Sequence, residues 1–353
     1  MSLHRSTHFS DNLRAVSENR RQLSLVFSLG GISLILLFLL CSGCVSTPGP
    51  LPQNQSKSIE ITDSEGTPIS FPHTVSRIVC LNDDTTEMLI TLGAAGSLVG
   101  VTSTAKNSTL MKVSLSSVHN VGNWMTPNVE TIISLNPDVI IGYSTAKPKN
   151  LELLRSVGVP IIFLDCYRLQ KLPDDAMALG ILTDHEKNAS RYVEFFTRYT
   201  TLVQNRITQI HATPPKVYFE SYTDYSVMTT RSAGGQILEF LHIPNVYGNY
   251  SSDWVTVSPE WVILKNPDII LKLASDSQKT HKSLSELVSG ISNRTGFANL
   301  SAVRNGRIFA MHGDLGSSPR DIFGLLYCAK SIYPEYFTDV SLDEVMTAYS
   351  QEF

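Results

Sequence analysis

Two stretches, "ETIISLNPDVII" (Glu130–Ile141) and "EWVILKNPDIIL" (Glu260–Leu271), share one frame: an acid, an apolar run, Asn-Pro-Asp, and a second apolar run. In each, Pro137 or Pro267 ends a short helix, because proline lacks an N–H and clashes with the preceding turn. The following aspartate is a turn residue that opens a buried strand. The box therefore reads as a helix-to-strand joint, and the matched acids Glu130 and Glu260 read as helix and turn structure rather than a paired active site. Its information lies in the duplication: one α/β lobe is written twice.

Working outward from the first box, "SIEITDSEGTPISFP" alternates Ile59, Ile61, Ile69 and Phe71 around an Asp-Ser-Glu-Gly turn, the pattern of a hairpin. "RIVCL" (77–81), "LVGVT" (98–102), "DVIIGY" and "VPIIFLD" are strands, with short helices at "TTEMLITLG", "PNVETIISL" and "NLELLRSVG" between them. Strands that are apolar throughout and alternate with helices predict a parallel sheet covered on both faces. After "TPPK" (213–216) the alternation restarts with "KVYFES", "GGQILEFLH", "SPEWVILK", "DIILKL" and "RIFAMH". Between the halves, residues 186–211 carry apolar side chains at three-four spacing with no Gly or Pro, which predicts one uninterrupted helix of about 25 residues.

The fold class expected is thus α/β: two Rossmann-like lobes with parallel sheets, joined by a single long helix. The boundaries expected are 58–173 for the first lobe, 174–213 for the linker helix region and 214–353 for the second.

Ahead of the lobes, Arg20 and Arg21 precede an uncharged apolar run from Leu23 to Leu40. Residues 1–43 read as a signal peptide or membrane anchor and 44–57 as a flexible tether. Ser42 and Gly43 before Cys44 resemble a lipobox, which marks Cys44 for lipidation, although Cys41 stands where a leucine is usual. Either way the lobes are extracytoplasmic, anchored to the outer face of the cell membrane. The remaining cysteines, Cys80, Cys166 and Cys328, are too scattered for a disulfide framework and read as buried small hydrophobes. Sequons at Asn107, Asn249 and Asn299 allow glycosylation. A formal net charge of −4 argues against binding nucleic acid.

The ordered set "SRIVCLNDDTTEMLITLGAAGSLVGVT", "VGNWMTPNVETIISLNPDVIIGY", "GGQILEFLHIPNVY", "SPEWVILKNPDIIL" and "NGRIFAMHGDLGSSPRDIFGLLYCAKSIYPEYF" resembles the helix-linked (class III) substrate-binding proteins of ABC importers. That group takes up cobalamin, ferric siderophores and haem. The resemblance spans residues 58–353 and implies a ligand cleft between lobes, no catalysis, no resident cofactor, and a monomer that delivers a metal chelate to a permease dimer with its ATPase subunits. It also implies two docking carboxylates on the lobes' outer faces, Glu87 and Glu239. Locally, Asp84-Thr-Thr-Glu87 instead has the form of a capping box.

Ligand groups are expected on loops at the carboxyl ends of strands. That rule selects Asp84, Trp124, Tyr143, Tyr167 and Arg168 from the first lobe, and Tyr222, Arg231, Trp254 and His312 from the second. Aromatic rings suit a bulky chelate, and Arg168, Arg231 and Arg320 suit its carboxylates or catecholates. The nine histidines are scattered, without the clustering that a naked metal would need. Two other classes stand as alternatives: a tethered sensor or surface binding protein with this fold and no transporter, and an extracytoplasmic enzyme. The sequence carries no G-x-S-x-G, H-E-x-x-H, P-loop or dinucleotide fingerprint.

Overall fold

The computed structural model describes residues 58–244, 252, 254–274, 283–316 and 318–353; the leader, Cys44, the tether and the Asn249 sequon lie outside these. Strands β1 (Ile59–Thr62) and β2 (Pro68–Phe71) form the expected hairpin, with Ile61 opposite Ile69. Asp63 fixes its turn by accepting from the Glu65 and Thr67 amides, both at 3.0 Å.

The first lobe runs β3 (Ile78–Cys80), α1 (Asp83–Thr91), β4 (Leu98–Val101), α2 (Ser103–Asn107), β5 (His119–Asn120), and a small hairpin of β6 (Gly122–Asn123) and β7 (Thr126–Pro127). It continues with α3 (Val129–Ser134), β8 (Val139–Gly142), α4 (Leu151–Arg155) and β9 (Ile161–Phe163). Its sheet has the order β5-β4-β3-β8-β9, and every neighbouring pair is parallel. Strands β3 and β8 are buried at each position, which is why they read as unbroken apolar runs.

Helix α5 (Leu172–Thr183) then turns through Asp184, in the left-handed conformation, into α6 (Glu186–Ile207). Helix α5 has no counterpart among the elements expected from sequence, and it straddles the expected boundary between first lobe and linker region. At 22 residues, α6 is about 33 Å long, and it buries the stripe Ala189, Tyr192, Phe195, Phe196, Val203 and Ile207.

The second lobe runs β10 (Val217–Glu220), β11 (Ser226–Met228), α7 (Ala233–Phe240), β12 (Trp254–Thr256), α8 (Pro259–Lys265) and β13 (Ile269–Ala274). It ends with α9 (Leu284–Ser292), α10 (Ser301–Arg304), β14 (Ile308–His312), α11 (Asp321–Ile332) and α12 (Leu342–Glu352). Its sheet order is β12-β11-β10-β13-β14. Only β10, β13 and β14 are parallel; β11 folds back on β10 and β12 on β11. This sheet is therefore mixed, not wholly parallel as expected. The chain leaves β10 by a tight return, Ser221 N–H donating to the Ser226 carbonyl, instead of a helical crossover.

The duplicated box is duplicated in space. Asn136 and Asn266 both take left-handed backbone, φ 45° and 43°, a conformation asparagine tolerates. Asp138 accepts from the Ser76 and Arg77 amides at 2.8 and 2.9 Å, and Asp268 accepts from the Lys216 amide at 2.9 Å. Each box thus ties the start of β8 or β13 to the start of the neighbouring core strand. Glu130 and Glu260 occupy the same place, second residue of α3 and of α8, behind the capping side chains of Asn128 and Ser258. Both are exposed.

Candidate functional site

At the carboxyl ends of the first sheet, Asn82 caps α1 by accepting from the Asp84 and Thr85 amides. Its buried amide donates to the Leu164 and Asp165 carbonyls at 2.6 and 3.2 Å, joining the ends of β3 and β9. On that platform Tyr143 is central. Its hydroxyl donates to Asp84 Oδ2 at 3.0 Å. Its ring meets Trp124 edge-on at 5.9 Å and Tyr167 at 6.0 Å. Tyr167 in turn shares a 2.9 Å hydrogen bond with Thr145. Arg168 stands 3.6 Å from Asp165, a fully buried carboxylate that accepts from the Ser144 amide at 2.7 Å and from its hydroxyl.

Five sequence-selected residues are thus brought to one wall. Burial pushes the Asp84 carboxyl well above the usual range, the Tyr143 hydrogen bond opposes this, and the Glu87, Asp83 and Asp321 charges add to it. Burial and the Asp84 charge likewise raise the Tyr143 phenol, which keeps its proton and donates. The wall is a face of aromatic rings with one carboxyl group behind it, suited to van der Waals contact with a broad ligand.

From the second lobe, Tyr222 follows β10 and is 50% exposed. It lies against Gly313, just past His312: a Cβ there would come 2.1 Å from the Tyr222 hydroxyl oxygen. Behind Tyr222, the fully buried Glu220 binds Lys272 Nζ at 2.8 Å and Arg294 at 2.7 and 2.8 Å. Lys272 also donates to the Tyr222 carbonyl at 3.3 Å and to Asp224 at 3.2 Å, and so holds the loop that presents the ring. Burial alone would raise the Glu220 carboxyl; the Arg294 hydrogen bonds and the Lys272 charge hold it below its ordinary value.

Trp254 and Arg231 stand apart from this group. Trp254, 59% exposed, opens the outermost strand β12, and Arg231 is exposed just before α7. Strands β12 and β14 are opposite edges of a five-stranded sheet, roughly 19 Å apart, and the register sets Trp254 level with Phe309 rather than with His312. Glu220, Lys272 and Arg294 were missed by the sequence reading. The readable signal was a charge inside each of two apolar strands, "VYFES" and "IILKL", which the register pairs directly.

Two expectations need correction. Glu87 is not on an outer face: it is 9% exposed and closed into an ion pair with Arg320, Oε1 to Nε at 2.6 Å and Oε2 to Nη2 at 3.2 Å. Nor does it complete a capping box, because the cap is Asn82. Arg320, committed to that pair and itself buried, is not offered to a ligand anion. The pair joins α1, which follows the carboxyl end of β3, to the segment that follows β14, and so ties the two lobes together on that side. Glu239 is exposed on α7 as its apolar neighbours required. A surface cavity of about 620 Å³, bordered by Met177, Val193, Thr197 and Arg198, lies along α6, and none of the selected residues lines it. Among the described residues no three His, Cys, Asp or Glu side chains converge as a bound metal ion would require.

Residues 78–315 match the family model described as periplasmic binding protein, and the chain belongs to that family. Over 324 residues it is 26% identical to the uncharacterized ABC transporter substrate-binding lipoprotein YvrC of Bacillus subtilis, a match covering 87% of this chain and 97% of that one. The vitamin B12-binding protein of Photorhabdus laumondii is 26% identical over 210 residues, 57% of this chain and 74% of that one. The solved TroA-like periplasmic binding protein FepB from Veillonella parvula superimposes with a TM-score of 0.70 at 22% identity, covering 84% of this chain and 96% of that one. The molybdate-bound MolA of Haemophilus influenzae gives 0.69 at 21% identity, covering 84% and 97%. At those identities the two structures speak to fold alone.

Proposed function

We propose that this periplasmic binding protein captures a metal chelate, a corrinoid, ferric siderophore or haem, and delivers it to an ABC permease. The observation that carries the reading is the wall of Trp124, Tyr143 and Tyr167 over Asp84, which sits at the carboxyl ends of the first sheet on the helix that the Glu87–Arg320 pair ties to the second lobe. Tyr222 and His312 supply the second side, and Trp254, Arg231 and Arg168 the rim. The names of the B12-binding relatives point the same way. Titrating the purified protein with cobalamins, haem and a set of ferric siderophores while following tryptophan fluorescence tests it. A saturable change with a Kd of about 1 μM or tighter, near −8 kcal/mol, is expected for at least one.

The permease contact is assigned to Glu130 and Glu260 in place of the expected pair, because Glu87 is buried and Glu239, though exposed, is left without its counterpart on the first lobe. Glu130 and Glu260 are exposed, identically placed in the two lobes, and accompanied by exposed apolar neighbours: Ile133 (54%) on α3, and Ile263 (38%) and Leu264 (82%) on α8. Two carboxylates on equivalent helices give a partner two points that fix orientation. Membrane attachment through the leader and Cys44 belongs to the same reading.

A further inference from the structure

We infer that α1 is a latch that couples the ligand wall to the second lobe, and that Glu87 and Arg320 are positioning residues for that wall. The inference extends the reading of Tyr143 as a ligand-facing group. One face of α1 carries Asp84, Glu87 and Thr91, spaced by three and four residues and therefore stacked on one side of the helix. Each holds a different part of the molecule. Asp84 takes the Tyr143 hydroxyl at 3.0 Å. Glu87 takes Arg320 through two hydrogen bonds, and Thr91 meets the Tyr349 hydroxyl of α12 at 3.3 Å.

The far side of the latch is held just as firmly. The Tyr192 hydroxyl of α6 donates to the Pro319 carbonyl at 2.7 Å, beside Arg320. Asp321 accepts from the Ser318 amide at 2.9 Å. Tyr349 packs edge-on against Phe195 of α6 at 5.5 Å and against Phe323 of α11 at 5.3 Å. Glu87 and Arg320 are each 9% exposed and joined by two charge-assisted hydrogen bonds, so parting the lobes breaks both bonds together. The lobes are therefore held in one register by a contact made or broken as a unit.

The same contact reaches the ligand wall because Asp84 and Glu87 sit less than one turn apart on a helix of 9 residues. A displacement of α1 that draws Glu87 from Arg320 also draws Asp84 from Tyr143, the ring on which Trp124 and Tyr167 both rest. A ligand pressing on Tyr143 is in turn felt at Arg320. The long helix α6 limits how far the lobes can move, and the α1 latch sets where they stop.

The test needs no ligand for its first part. Spin labels on Ser156→Cys and Ser289→Cys, exposed positions in different lobes, report the interlobe distance by double electron–electron resonance. Wild type is expected to give one narrow distribution. Glu87→Gln is expected to broaden it, and so is the double variant Glu87→Met with Arg320→Met, which leaves neither member of the pair as an unpartnered charge and keeps the test open should the single variant fail to fold. An unchanged distribution in a folded variant overturns the latch. For the coupling, Tyr143→Phe removes only the hydroxyl and is expected to raise amide hydrogen exchange over Glu87–Thr91 about tenfold; unchanged exchange there overturns it. Neither measurement requires that a chelate bind, so failure of the latch is separable from failure of the ligand reading.

Discussion

Asp175 holds the segment that delivers Tyr167: Oδ1 accepts from Ser64 Oγ at 2.7 Å, and Oδ2 from the Cys166 amide at 2.9 Å. Burial raises its carboxyl from 3.8 to about 6. The folded protein then holds this proton more tightly than the unfolded chain. Stability from this residue is full below about pH 4 and is lost as pH rises to about 6, a change of about 3 kcal/mol at most. Asp175→Asn should abolish that decline, so the difference in unfolding free energy between wild type and variant, followed by urea titration, should shrink over that window. A pH-independent difference contradicts it. Gly313 makes a second case at this scale. A methyl there would sit 2.4 Å from Tyr222 Cε1 as well as against its hydroxyl, so Gly313→Ala must swing the ring away. Chelate affinity measured by titration should fall about tenfold, roughly 1.4 kcal/mol, with unfolding little changed. Individual residues were also where sequence was least legible. "TTEML" carries no sign that the partner of Glu87 is Arg320, 233 residues away, and local capping logic offered a plausible wrong role.

Helices and strands with a strong periodic signal were legible, because their burial pattern is local. The stripe of α6 and the buried runs β3 and β8 are examples. Strands β11 and β12 were not: three residues each are too few to show alternation, and their partners are chosen by the loop geometry after β10. The charged pair inside β10 and β13 gives the sharpest prediction for an element. Glu220 and Lys272 are 0% and 2% exposed and paired in register. Glu220→Gln leaves two cations facing a neutral amide, and should cost about 3–5 kcal/mol in urea unfolding. A loss below about 1 kcal/mol would mean that the network is not held as a buried ion pair. Because Lys272 also holds the Tyr222 carbonyl, chelate affinity should weaken alongside.

For the whole molecule, duplication was the most informative thing in the sequence, and it led correctly to two lobes and one long connecting helix. It did not reveal which acids matter, since exposure depends on how the lobes meet. The twin Glu130 and Glu260 lie in the open, whereas Glu87 is closed between lobes. If the twin acids dock the permease, Glu130→Arg with Glu260→Arg should leave chelate affinity within about twofold while removing at least about tenfold of the stimulation of transporter ATPase activity; Glu239→Arg serves as the comparison. Retained stimulation in the double variant contradicts the assignment. The central claim is that the Tyr143 wall and Tyr222 together hold a bulky chelate. Calorimetric titration of wild type, Tyr143→Ala and Tyr222→Ala with the chelate panel tests it most directly. One chelate should bind wild type at about 1 μM or tighter and each variant at least about tenfold more weakly; no binding to wild type, or equal binding to all three proteins, would contradict it.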